Sequence, residues 1–208
     1  MFDLKCGIQL RAFQTTPTDD LEGILSAYNN TEVAPQITER FIIPRGQKLK
    51  DEFKELIETK AEMFCTIETT PPKTQLEGDE KHEPRYVGFT ALWAAPQPGQ
   101  RYSKYSIVLL PEFWNKGYGQ VITKFMVDYA FLNLNMHRIS LEVYEGNDRA
   151  TAVYKKCGFV EEGRLRKVTW VNGAWRDIHL MGILAEEWTE LRKLEQQELS
   201  GMTPRDVK

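Results

Sequence analysis

At 208 residues, with 41% hydrophobic and 27% charged side chains, the chain has the size and make-up of one globular domain with at most a small appendage. A formal net charge of −3 argues against the broad basic surface that nucleic acid or an anionic membrane would need. No apolar run reaches the ~18 residues of a membrane-spanning helix, and Met1 to Cys6 lack the basic-then-apolar pattern of a signal peptide. Cys6, Cys65 and Cys157 are odd in number and widely spread, with no Cys/His ligand spacing. The expectation is a soluble cytoplasmic protein with reduced thiols and no metal.

Residues 7–13 alternate like a strand. Thr16-Pro17 with Asp19 and Asp20 reads as a capped helix start, and Leu21, Ile24, Leu25 and Tyr28 follow at helical spacing until Asn29-Asn30. After a loop with Pro35, Pro44 and Gly46, a second helical pattern runs through Leu49, Phe53, Leu56, Ile57, Lys60 and Phe64, overlapping strand signals at 63–68. Residues 69–85 combine Pro71-Pro72, Gly78 and Pro84 with charge and read as a solvated loop inserted between two strands. Strands are expected at 86–94 and 103–110, a helix at about 119–132, a strand at 138–144 and a short helix at 148–157. A hairpin with strands near 164–171 and 174–183 closes the domain around Asn172-Gly173, a strong two-residue turn signal. The stretch from 187 to 208, with Trp188, Leu191 and Leu194 among alternating charges, reads as an amphipathic helix and tail beyond a domain at 1–186. This order favours an α+β domain with a mixed sheet.

The stretch from Leu109 to Gln120, Leu-Leu-Pro-Glu-Phe-Trp-Asn-Lys-Gly-Tyr-Gly-Gln, ends a strand and opens a long helix. The free N–H groups and positive dipole end of a helix start attract anions, and Gly117 and Gly119 let an anion approach the main chain closely. Lys116 could add a charge. A Gly-x-Gly before a helix is equally often only a tight turn. The pattern is neither the dinucleotide fingerprint, since residue 122 is Ile, nor a P-loop, since no Gly-Lys-Ser/Thr follows. Another pyrophosphate compound, coenzyme A above all, remains.

Trp114-Asn-Lys-Gly-Tyr-Gly119, Glu142-Val-Tyr-Glu-Gly-Asn147 and Ala150-Thr-Ala-Val-Tyr154-Lys-Lys-Cys-Gly158-Phe159 together resemble the GNAT (Gcn5-related N-acetyltransferase) superfamily. The likeness is greatest to the branch of ribosomal-protein alanine and spermidine acetyltransferases. Phe159-Val-Glu-Glu-Gly-Arg164 and Val171-Asn-Gly-Ala-Trp-Arg-Asp177 look like that branch as well. The resemblance implies a mixed, mostly antiparallel sheet flanked by helices, with central strands that splay apart. It implies acetyl-CoA as cosubstrate, its pyrophosphate cradled by the main-chain amides of Asn115, Lys116, Gly117, Tyr118, Gly119 and Gln120. Leu109 and Leu110 would pair their backbone with the pantetheine arm, and Asn147 would hydrogen-bond that arm. Tyr154 would protonate the leaving thiolate, and Glu142 sits where some members carry a general base. Trp114 departs from the Gln or Arg that often opens this loop, which puts a side-chain contribution there in doubt.

The residues also carry other readings. Glu142 shares one face of its strand with Ser140 and Tyr144, and is either a partly buried base or a salt-bridged strand residue. By pattern alone Tyr154 is a core tyrosine beside Ala150, Val153 and Cys157. Asn147 is also a natural N-cap. His82, His137 and His179 look ordinary, with His179 a minor acceptor-site candidate. The family places the acceptor between residues 29–46 and 164–181, where Glu32, Glu39 and Asp177 could attract a cation. The acceptor is expected to be a small-molecule amine such as a polyamine, amino acid or xenobiotic amine. A peptide N-terminus, or no reaction at all in a silent acyl-CoA-binding module, are the alternatives. The chain is expected to be a monomer or homodimer.

Overall fold

A computed structural model describes residues 1–38, 41–70, 83–95 and 99–201. Eight strands form one sheet: β1 (Phe2–Asp3), β2 (Ile8–Ala12), β3 (Ala61–Thr69), β4 (Tyr86–Ala94), β5 (Tyr102–Leu109), β6 (Arg138–Tyr144), β7 (Val160–Val171) and β8 (Ala174–Leu184). Their order is β1-β2-β3-β4-β5-β6-β8-β7. Every neighbouring pair is antiparallel except β5 and β6. Among the described residues five α-helices accompany them: α1 (Asp20–Asn29), α2 (Gln47–Lys60), α3 (Tyr118–Leu132), α4 (Asp148–Lys156) and, after the last strand, α5 (Ala185–Gly201). The mixed sheet with flanking helices is the α+β arrangement expected. Among the described residues no helix is long and apolar enough to cross a membrane.

Each face of the sheet carries its own apolar core. On one, Ile122, Met126 and Ala130 of α3 meet Ile8, Ile67 and Ile139 of the strands. On the other, Leu21 and Ile24 of α1 and Phe53 of α2 meet Phe89 and Val108. Strand alternation therefore sorts side chains by parity. On β5, Tyr105 joins the α3 face while Val108 joins the α1/α2 face. On β6, Ile139, Leu141 and Val143 take the α3 face, which turns Ser140, Glu142 and Tyr144 to the other.

The start of α1 is fixed as its residues suggest. Asp19 accepts from the Leu21 amide at 3.1 Å as N-cap. The neighbouring Asp20 is buried and takes a bidentate pair from Arg11, both contacts at 2.7 Å. Lys50 of α2 reaches back to Asp19 and Glu22 at 2.8 and 2.6 Å, locking the two helices together.

Two elements differ from the sequence expectation. The helical pattern through Phe64 stops at Lys60, and the chain enters β3 at Ala61 without a turn. Phe64 keeps up the apolar pattern because it stacks on Phe89 in the same core as α2, 5.5 Å between centroids. β7 begins at Val160 rather than 164. It is an edge strand whose residues 160–162 and 164–168 are exposed, so polar side chains hide its alternation. Register shifts at Glu161/Gly163 and Leu165/Thr169 obscure it further. The expected C-terminal helix forms as α5, which follows β8 directly and packs on α3. The Trp188 ring lies 5.4 Å from Phe131 and its indole N–H donates to Asp128 at 2.7 Å. Leu194, on the expected apolar stripe, is exposed. Of the loop expected at 69–85, residues 71–82 lie outside the described residues, as do Glu39 and His82.

Candidate active site

β5 and β6 are joined by only three residue pairs, Tyr102↔Arg138, Ser103↔Ile139 and Lys104↔Ser140. Beyond Lys104 each strand keeps its outer neighbour, β5 holding β4 to Leu109 and β6 holding β8 to Tyr144. The gap between them is the expected splay. It opens a cleft of about 620 Å³ that passes through the sheet. Gly117, Gly119, Gln120 and Asn147 line one end, and Tyr28, Phe53, Leu56 and Trp93 line the other.

At the first end the main chain between β5 and α3 curls into a cradle. Asn115 has φ +59° and Gly117, the N-cap of α3, has φ +79°. Left-handed residues interleaved with right-handed ones turn successive N–H groups toward one point, the geometry of an anion nest. Among the described residues the amides of Asn115, Lys116, Gly117, Tyr118 and Gly119 have no internal partner. The Gln120 amide, expected in the same set, instead bonds Gly117 O at 3.1 Å as part of the first helical turn. The two glycines act differently. Gly117 supplies the backbone conformation, whereas at Gly119 a Cβ would meet nothing nearer than Leu109 Cδ1 at 3.9 Å. Gly119 matters for what it leaves empty.

Leu109 and Leu110 divide the role expected of them. The Leu110 N–H is already committed to Val87 O at 2.9 Å across β4. Antiparallel alternation then turns the backbone of Leu109, and of Ile107 before it, toward the gap. The Leu109 carbonyl is taken by the Trp114 indole N–H at 2.8 Å. The free strand groups facing the cleft are thus the Leu109 N–H and the main chain of Ile107, a residue that the sequence reading did not single out. Trp114 also gains a purpose: it caps Leu109 and carries the Arg149 guanidinium 4.1 Å from its ring centroid. Arg149 and Lys156 bring positive charge to the cleft wall. No sequence pattern marks this contact, because the residues are 35 apart.

Tyr154 stands on the α3 side of the gap, packed edge-on against Tyr105 and Phe159 at 6.3 and 5.8 Å. It is both the core tyrosine its pattern suggested and a lining residue of the cleft. Its hydroxyl has no hydrogen-bond partner among the described residues. Burial, with a smaller contribution from Cys157, pushes its pKa up, so the proton stays on the oxygen at neutral pH. Asn147 caps α4 by accepting from the Ala150 amide at 3.2 Å and lines the cleft as well.

Glu142 faces the α1/α2 side, across the sheet from Tyr154. Of the two readings the sequence left open, it is partly buried and also salt-bridged. Lys104 Nζ lies 2.7 Å from its Oε1, a diagonal pair across the last rung before the splay. Geometry therefore puts a proton donor on one face of the gap and a carboxylate on the other.

The acceptor residues expected from the hairpin do not reach the cleft. Asp177 is buried, receives the Lys167 amide at 2.8 Å and pairs with Arg164. It pins the irregular stretch of β7 to β8. His179 pairs with Glu161 at 3.0 Å, and neither it nor Glu32 lines the cleft. Val33, Gln36 and Ile37 of the expected 29–46 stretch do line the cleft, and its second end is walled by α1, α2 and β4 through Tyr28, Phe53, Leu56 and Trp93. Among the described residues no group of three or more His, Cys, Asp or Glu is placed to hold a metal.

A sheet splayed beside an amide-lined helix start is the framework of acetyltransferases of the GNAT class. The family model for the acetyltransferase (GNAT) domain matches residues 8–160, and the chain belongs to that family. It is 36% identical over 88 residues to a spermidine N(1)-acetyltransferase of Vibrio cholerae, 42% of this chain and 51% of the relative. It is 34% identical over 77 residues to a putative ribosomal N-acetyltransferase of Bacillus subtilis, 37% of this chain and 42% of the relative. The chain thus spans about half the length of these curated relatives. The crystal structure of the Vibrio cholerae spermidine N-acetyltransferase in complex with CoA and spermine superimposes with a TM-score of 0.69 at 27% identity, covering 88% of this chain and 98% of that one.

Proposed function

We propose that this chain transfers an acetyl group from acetyl-CoA directly to a primary amine of a small molecule. The observation that carries the reading is the union, in one cleft, of five amides at the start of α3 that have no partner among the described residues, the edge of β5 beyond Lys104 and the Tyr154 hydroxyl. The cradle suits a pyrophosphate, with Arg149 and Lys156 adding charge nearby. The Leu109 N–H and the Ile107 backbone suit the amides of an extended arm, and Asn147 stands beside them. The thioester supplies an acetyl group already activated for transfer. Glu142 takes the proton that an alkylammonium must lose before it can attack, and Tyr154 gives its proton to the departing sulfur. Their places on opposite faces let the amine arrive from the α1/α2 side while the sulfur leaves on the α3 side. No covalent intermediate on the protein is required.

A polyamine is the first acceptor to try, since a spermidine N(1)-acetyltransferase is 36% identical to the chain over 88 residues and the structure of such an enzyme with CoA and spermine covers 88% of it. One observation favours a second class, a peptide N-terminus or other amine with an apolar body. The acceptor end is walled by Tyr28, Phe53, Leu56 and Trp93, and Glu142 is the only carboxylate lining the cleft among the described residues. Free thiol released from acetyl-CoA across a panel of polyamines, amino acids, aromatic amines and peptides separates the classes. Thermal protection by acetyl-CoA with no thiol release on any amine would leave a silent binding module in place of an enzyme.

A further inference from the structure

Lys104 stands at the neck of the cleft, on the last rung that β5 shares with β6. Its side chain and that of Glu142 both line the cleft on the α1/α2 side. With Nζ 2.7 Å from Glu142 Oε1, a primary amine of the protein itself already rests on the carboxylate that the proposed reaction uses as base. Stability does not account for the pair, because Lys104 is 47% exposed and such pairs contribute little.

We propose that Lys104 is an acetyl acceptor of this same site, so that the chain modifies its own Nζ, and that the modification releases Glu142 to external amines. The inference rests on the transferase reading above. The Lys104 ammonium passes one proton to Glu142 and thence to solvent. Its nitrogen forms a bond to the acetyl carbonyl carbon as the carbon–sulfur bond breaks. The thiolate takes the Tyr154 hydroxyl proton, and the second proton shed by the nitrogen restores that hydroxyl. The products are N-acetyl-lysine, coenzyme A as the thiol and one proton. Acetyl-CoA is the only co-reactant. A tethered amine on a flexible four-carbon stem needs no encounter with the site, and such tethering raises effective concentration far above that of a free amine. Acetylation removes the lysine charge, and with it the group that occupies Glu142.

The full chain is incubated with acetyl-CoA and no added amine, and acetyl occupancy is read by peptide mass spectrometry. Lys48 and Lys193, 91% and 59% exposed, report the chemical background. Lys104 is expected to acquire one acetyl group at least about tenfold faster than either, the least that positioning beside a base should give. Glu142→Gln should bring it down to background while leaving Lys48 and Lys193 unchanged. In the assay with an external amine, a lag should vanish after preincubation with acetyl-CoA and be missing from Lys104→Gln. Acetylation of Lys104 no faster than of Lys48 and Lys193, in a preparation that turns over an external amine, would overturn the inference and leave the transferase reading standing. So would Lys104 labelling that persists undiminished in Glu142→Gln. Failure of the wild-type chain both to release thiol with any amine and to label Lys104 would overturn the transferase reading itself.

Discussion

The two ends of the cleft are made of different materials. The end at α3 is built from main chain: the amides of residues 115–119 and the unpaired edge of β5. The opposite end is built from side chains of Tyr28, Phe53, Leu56 and Trp93, brought together from α1, α2 and β4. A main-chain site tolerates loss of side chains and suffers when one is added. A side-chain site behaves the other way round. Substitutions at the two ends should therefore separate cofactor affinity from acceptor affinity.

The largest effect is expected where the ends meet. Tyr154→Phe keeps the ring against Tyr105 and Phe159 and removes only the hydroxyl. Turnover should fall by ~10²–10⁴, the usual range for a lost general acid, while acetyl-CoA affinity holds. Steady-state kinetics with one good amine decide it. Turnover within about twofold of wild type, with chemistry shown to limit the rate, would remove the acid role.

Next comes the main-chain end. Gly119→Val fits its surroundings, since a Cβ there meets only Leu109 Cδ1 at 3.9 Å, but fills the space over the cradle. Acetyl-CoA binding measured by calorimetry in chelator should weaken about tenfold or more, ~1.4 kcal/mol. Lys116→Ala removes one exposed charge and should cost less, within about 1 kcal/mol. Equal losses would mean that charge, not amide approach, holds the ligand.

At the side-chain end, Leu56→Ala should raise the acceptor KM a few-fold, roughly 1 kcal/mol for a half-exposed leucine, with acetyl-CoA affinity unchanged. If both affinities moved together, the division between the ends would not hold.

The smallest effect lies outside the cleft and serves as its control. The Lys167 amide, and then Arg164, hold the Asp177 carboxyl below the usual aspartate range. A carboxyl with a native pKa below its unfolded value stabilises fully above the unfolded value, and this contribution disappears as pH falls through the native one. Asp177→Asn should thus flatten the acid limb of a plot of Tm against pH and leave both KM values alone. An unchanged acid limb would show that the pairing does not matter to folding.

The same division decides what could be read from the sequence. The cradle was legible because it is local: a strand end, Gly117 and Gly119, and a helix start within a dozen residues. Tyr154 and Asn147 were placed through the family likeness rather than by pattern. Tyr154 is buried as a core residue would be, so periodicity alone points to packing. The pairing of Glu142 with Lys104 was not legible, because it depends on where β5 and β6 part, and the register of a parallel pair is set by tertiary packing. Of the two acceptor stretches expected, 29–46 contributes Val33, Gln36 and Ile37 to the cleft, whereas Tyr28, Phe53, Leu56 and Trp93 were not legible because they are single residues on distant elements. The commitment of Leu110 to Val87 follows from strand alternation, which requires knowing which edge of β5 meets β4.

The seam between β5 and β6 has one more consequence. Five strands lie on one side of it and three on the other, joined by three rungs and by the side chains of α3 beneath. Any extended ligand that hydrogen-bonds Leu109 and Ile107 within the gap acts as a splint, a ninth strand supplied from outside. Heat resistance is then tied to ligand concentration, rising by about 2.7 kcal/mol at a hundredfold excess over Kd. Hydrogen exchange at those two amides should slow in step, and the free protein would be a sheet waiting for its missing member.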